Sequence, residues 1–163
     1  MAGDGCTPYS PWVVRTHFSE SDKRWQILQD ELVAPQGEDQ FRAYVRFQND
    51  ESAFSGLRPI EVVNALPDNY PQLYVFVADE DTLTTKESTV LVISFEPGDA
   101  AEAGEGQDAK PKPKDVKAED LRSFRAVPSA VQCVENNLSI ANMDFDDFLE
   151  SSGSDGVFRG FPD

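Results

Sequence analysis

Residues 73–78 read Leu-Tyr-Val-Phe-Val-Ala and stop against Asp79-Glu80-Asp81. An unbroken apolar run of this length, rich in β-branched and aromatic residues, predicts a strand covered on both faces. Such a strand belongs in the middle of a sheet with helices on either side. A second continuous run, Val90 to Phe95, predicts a second central strand. These two runs point to an α/β fold, and the flanking sequence agrees with it.

Upstream, Trp12-Val13-Val14-Arg15-Thr16 is a short apolar run that turns polar and predicts a first strand. Ser19 is placed to cap a helix, with Asp22 three residues on in an imperfect capping box. Trp25, Ile27, Leu28, Leu32 and Val33 then recur at helical spacing until Pro35-Gln36-Gly37. Phe41, Ala43, Val45 and Phe47 alternate with Arg42, Tyr44 and Arg46, the period of a half-exposed strand near a sheet edge. Gly56-Leu57-Arg58-Pro59 opens a second helix, with Pro59 in its first turn, and Pro67 closes it. Strands alternating with helices imply right-handed βαβ crossovers and a mostly parallel sheet. Downstream, Phe124 to Val127 resumes as a strand adjacent to the Val90 run. Pro128-Ser129 starts a short helical segment through Val134. A final acidic helix runs from about Asn142 to Ser151 and carries Met143, Phe145, Phe148 and Leu149. The expectation is a small three-layer α/β domain over residues 11–163, with about five strands, preceded by a flexible arm at 1–10.

Residues 97–121, PGDAAEAGEGQDAKPKPKDVKAEDL, interrupt that domain. Their composition buries too little apolar area to offset the entropy of ordering, so a disordered insertion is expected. The segment holds seven acidic and four basic residues, so the rest of the chain carries −13 of the formal −16. A body this acidic is ill suited to nucleic acid, whose phosphates need clustered Lys and Arg, and to an anionic membrane. A basic protein or a cationic ligand fits the charge better. The beginning MAGDGCTPYSPW lacks the basic and apolar regions of a signal peptide, and no apolar run approaches about 18 residues. A soluble cytoplasmic protein with reduced thiols follows as the expectation. Cys6, Cys133 and the one histidine, His17, form no metal spacing, so neither metal nor cofactor is expected.

Three groups of residues are candidates for function. Open α/β sheets bind ligands at the carboxyl ends of their strands. Arg15, Thr16 and His17 lie at one such end, and Asp79, Glu80 and Asp81 at another. Arg15, His17, Asp79 and Asp81 could together perform acid–base work, and Arg15, Thr16 and Asp79 could hold a polar ligand. Equally, polar residues end every strand, and Asp79 can cap the turn that follows. Asn136, Asn137 and Asn142 form a second group, suited to caps and turns or to lining a recognition cleft. The third is the acidic row Asp144, Asp146, Asp147 and Glu150, either a solvated helix face or a docking surface for a basic partner. It lacks the spacing and central Gly of a calcium loop. Nucleotide-binding, nucleophile-elbow and zinc-protease motifs are all absent. Cys133, within AVQCV, reads as a core residue rather than a nucleophile.

The segments VENNLSIANMDFDDF and GVFRGF resemble a bacterial and fungal family, domain of unknown function 6924. VVRTHFSESDKRWQIL near the start, LYVFVADEDTL and LVISF extend the resemblance over most of the chain outside residues 1–10 and 97–121. His17 stands where the family typically shows Asp, which argues against an essential carboxylate there. The resemblance implies no reaction. The functional expectation is therefore a non-catalytic protein-interaction or small-ligand-binding module with an acidic surface. The alternative is a small hydrolase or transferase working at the strand ends.

Overall fold

The apolar run at 73–78 becomes the centre of the sheet. In a computed structural model, which describes residues 9–19, 22–35, 42–96, 112–139 and 143–160, Tyr74–Ala78 forms a strand buried at every position. The chain order is β1 (Trp12–Arg15), α1 (Asp22–Val33), β2 (Arg46–Gln48), α2 (Glu51–Phe54), α3 (Pro59–Ala65), β3 (Tyr74–Ala78), α4 (Glu80–Thr84), β4 (Val90–Ser94), β5 (Arg122–Ala126), α5 (Pro128–Ser139), α6 (Phe145–Ser151) and β6 (Val157–Phe158). The strands lie in the order β2-β1-β3-β4-β5-β6. Pairing is parallel from β2 through β1 to β3 and again between β5 and β6. Only β4 runs against the others, antiparallel to both β3 and β5. The sheet is thus mostly parallel, as expected, with six strands rather than five.

Alternation along the strands sorts the side chains into two cores. Val13, Phe76, Val92 and Phe124 face Trp25, Leu28 and Leu32 of α1, Val131 and Val134 of α5, and α6. Val14, Val75, Val77 and Ile93 face Val62, Val63 and Leu66 on the α3 side. Helices therefore cover both faces, which is the three-layer arrangement. On the first face the last helix closes the core through aromatic rings. Phe124 lies 5.0 Å from Phe145 and stacks on Phe148 at 5.9 Å, while Phe148 meets Phe158 edge-on at 5.1 Å. On the second face Tyr70 accepts from the Trp12 amide and donates to the Tyr74 carbonyl, both at 2.9 Å, stitching β1 to β3.

Several boundaries differ from the sequence reading. Ser19 lies in a turn and α1 begins at Asp22, so Ser19 is too far upstream to cap it. The alternation around 43–47 is real, with Ala43 and Val45 buried and Tyr44 and Arg46 exposed. Ladder bonds form only over Arg46–Gln48, because only those residues lie opposite β1. The segment after Pro128 is a full twelve-residue helix to Ser139, five residues beyond Val134. Its polar last turns hide the helical period. The short elements α2, α4 and β6 were not foreseen, having too few residues to show a period. Residues 1–8 of the arm expected at 1–10, Phe41, residues 97–111 and Asn142 lie outside the described residues.

The expected insertion ends earlier than its composition implies. Pro113–Asp115 and Ala118–Asp120 form 3-10 turns. Val116 is buried with the α3 core, and Asn64 Nδ2 donates to the carbonyls of Pro113 and Val116 at 2.8 and 3.1 Å. Two apolar residues and one amide from a helix suffice to fix a segment otherwise rich in charge.

Two expectations follow. Phe148→Ala opens a cavity among Phe124 and Phe158 and should cost about 3–5 kcal/mol in urea unfolding; an unchanged midpoint would contradict the packing. Asn64→Leu strands two carbonyls and should cost about 1–3 kcal/mol, with faster proteolysis within residues 112–121 as a second readout.

Candidate functional site

The order β2-β1-β3 reverses the direction of winding at β1, and the carboxyl ends of β1 and β3 flank the usual ligand crevice of such sheets. Here the protein's own side chain fills it. Arg15 is 2% exposed. Its Nε donates to the His17 carbonyl at 2.8 Å, Nη1 to Asn49 Oδ1 at 3.0 Å and Nη2 to Asp22 Oδ1 at 2.8 Å. The guanidinium lies over the Phe18 ring at 4.4 Å. Thr16 is also buried, its amide bonded to the Ala78 carbonyl and its carbonyl to the Gly56 amide. His17 contributes its carbonyl to this arrangement.

Asp79 belongs to a different group. It caps α4, accepting from the Thr82 amide at 3.2 Å. Both its oxygens meet Arg125 of β5, at 3.2 Å from Nη1 and 2.5 Å from Nη2. Asp81 approaches the same guanidinium at 3.6 Å, and Arg125 also donates to the Thr89 carbonyl. Burial alone would push the Asp79 carboxyl up, but the bonds and charge of Arg125, aided by Thr82, hold it below the ordinary carboxylate range. The four residues proposed for acid–base work therefore divide. Arg15 pairs with Asp22, and Asp79 and Asp81 pair with Arg125, a residue sequence reasoning did not single out because it sits inside a strand. Each charge is spent holding elements together.

The amide pair behaves otherwise. Asn136 and Asn137 neither cap nor turn the chain; both stand on the carboxyl half of α5. With Gln132, Cys133, Glu135 and Ser139 of the helix, and Tyr44 from the segment before β2, they line a cleft of about 550 Å³. That volume lies within the range of small-molecule sites. α5 follows β5 directly and carries its last turn back to the amino end of the sheet, where Tyr74 opens β3 beside Glu135 and Ser139. The cleft thus lies away from the strand ends where the fold class directs attention.

Glu135 is the centre of this cleft and is 4% exposed. Oε1 accepts from the Tyr44 amide and from Asn136 Nδ2, both at 2.9 Å, while Oε2 lies 3.1 Å from Ser139 Oγ, whose single proton also reaches the Glu135 main-chain carbonyl at 2.7 Å. Burial pushes its pKa above the ordinary value, and these three neutral donors only partly offset that. Asn136 Nδ2 also donates to the Arg42 carbonyl, and Asn137 Nδ2 to the Cys133 carbonyl. Tyr74 Oη is buried beside Ser139 and Glu135. Burial, and then the Glu135 charge, keeps its phenol protonated. Cys133 is unpaired and half-buried rather than fully in the core, and burial pushes its thiol up, away from the reactive thiolate. Glu135 carried no sequence signal, being one acid among thirty.

Asp146 of α6 pairs with Arg122 of β5, and Asp147 accepts from the Asp144 amide at 2.9 Å, so one of the acidic row ties the helix to the sheet and another caps the helix itself. Among the described residues no group of three or more His, Cys, Asp or Glu could hold a metal ion, and no helix is long and apolar enough to cross a membrane. The family model described as Domain of unknown function (DUF6924) matches residues 10–161. No curated protein matches the chain.

These geometries set three expectations. Arg15→Lys keeps the charge but not the fork, and should cost about 1.5–3 kcal/mol for each charge-assisted bond lost, read from urea unfolding. Asp79 has a depressed folded pKa, so its stabilisation is present above the unfolded value and lost as pH falls through the folded one. The wild-type advantage over Arg125→Gln in melting temperature should shrink as pH drops from about 5 to about 2. Glu135 has a raised folded pKa, so its contribution is greatest below the unfolded value and is lost as pH rises through the folded one. Glu135→Gln should therefore gain on wild type as pH climbs from about 4 to about 8; a flat difference would mean the carboxyl is solvated.

Proposed function

The chain belongs to the DUF6924 family, a membership that brings no reaction with it, and from its own residues we propose a non-catalytic ligand-binding module. Its site is the cleft along the carboxyl half of α5. The observation that carries this reading is a buried, hydrogen-bonded carboxyl and two asparagine amides lining one cleft of about 550 Å³. A site of this kind recognises a ligand through a few fixed polar groups on an otherwise apolar wall. The enzymatic alternative at the strand ends has less support, because Arg15, Asp79 and Asp81 are engaged with partners inside the fold. A basic protein docking on α6 also has less support, since Asp146 and Asp147 already serve local bonds. A cytoplasmic location is part of the proposal, with which the unpaired Cys133 is compatible.

The test is amide NMR of the labelled protein against a library of small polar fragments. Shifts should cluster on Tyr44 and residues 132–139, and Gln132→Trp, which fills the cleft from its half-exposed wall, should abolish them. Hits that cluster around Arg15 and Asp79, or that survive Gln132→Trp, would overturn the assignment.

A further inference from the structure

The bonding of Glu135 specifies what the cleft accepts. Each carboxylate oxygen can take two hydrogen bonds. Oε1 already takes two, from Tyr44 and Asn136, whereas Oε2 takes at most one, from a Ser139 hydroxyl it shares with the Glu135 main-chain carbonyl. One acceptor position therefore remains on Oε2. All three donors are neutral, and no ion pair among the described residues reaches Glu135. A buried carboxylate without a counter-charge is costly, and most such groups have one.

The remaining lining carries no positive charge. Both Nδ2 hydrogens of Asn136 are committed, to Arg42 O and to Glu135, so what this amide offers beyond them is its carbonyl oxygen. No Lys or Arg lines the cleft. Tyr44, 36% exposed, adds an aromatic ring to the lining, and an aromatic face attracts cations. An anion would find no cationic side chain among the lining residues and would lie beside the Glu135 carboxylate. A hard metal cation would need six or more oxygens, which one carboxylate and a few amides do not provide.

Resting on the reading of the cleft as a ligand site, we propose that it binds a small organic ammonium ion, with the NH₃⁺ group on Glu135 Oε2 and the carbon body against Tyr44 and Cys133. The formal charge of −16 draws such a ligand toward the protein before it docks.

The probes are n-butylammonium, n-butyramide and n-butyrate at one ionic strength, followed by amide NMR and calorimetry. n-Butylammonium should shift Tyr44 and residues 132–139 and bind at least about tenfold more tightly than n-butyramide, with n-butyrate not binding. Glu135→Gln should bring n-butylammonium binding down to the level of n-butyramide. Side-chain carbon NMR of Glu135 in the wild type gives a readout independent of how the variant folds: saturating n-butylammonium should lower the midpoint of its titration. Equal or tighter binding of n-butyramide at the cleft would overturn the cation assignment while leaving the cleft as a binding site. An ammonium effect with no change in the Glu135 titration would also overturn it, as general attraction to an acidic surface. If neither these probes nor the fragment library touches the cleft, the functional reading fails with it.

Discussion

A guanidinium enclosed where the sheet changes its direction of winding is the constraint on which the arrangement of the first half depends. Arg15 ends β1 and binds, from one planar group, the turn after it, the first residue of α1 and Asn49 ahead of α2. A buried positive charge is tolerated only when its donors are met and its charge is balanced. Here the balance comes from Asp22, whose side chain is 91% exposed, and from the faces of Phe18 and Trp25. The pairing therefore tethers the start of α1 without burying a carboxylate. It also uses up the space that open α/β sheets commonly leave for a ligand.

With that crevice filled, the polar chemistry of the molecule separates by location. At the carboxyl ends of the strands, acids and bases face each other and cancel, as Arg125 does with Asp79 and Asp81. Along the end of α5 an acid faces neutral donors and stays uncompensated. The first kind of arrangement stabilises a fold; the second leaves interaction energy available to something outside it. Distinguishing the two requires knowing each group's partners, which residue type alone does not reveal.

The sequence shows clearly what periodicity encodes. Continuous runs marked β3 and β4, alternation marked the buried positions 43 and 45, and helical spacing marked the last helix, whose Phe145 and Phe148 are both buried. Polarity misled at two points. Asn136 and Asn137 suggested the end of a helix that in fact continues through them, because tertiary packing of Ala130, Val131 and Val134 outweighs weak local preference. The charges of 112–121 suggested disorder, yet Val116 and the Asn64 amide hold that stretch. The cleft was half legible, through its two asparagines. Tyr44 could not be added, since it comes from a distant segment and meets α5 only in the folded chain, and Glu135, next to Asn136 in sequence, is distinguished only by its burial.

The outer strands of the sheet have a consequence for how copies of this chain behave in a crowded solution. β2 spans three residues and β6 only two. Beyond β6 the chain is held by Arg159, which reaches Glu87 at 2.7 Å and Asp155 at 2.9 Å. A neighbouring strand seeking unpaired backbone groups finds very few in succession on either side, and charged side chains stand beside them. The hydrophobic interior strands, which on their own would be prone to stacking into fibrils, are fenced by edges too short to propagate a sheet from one molecule to the next.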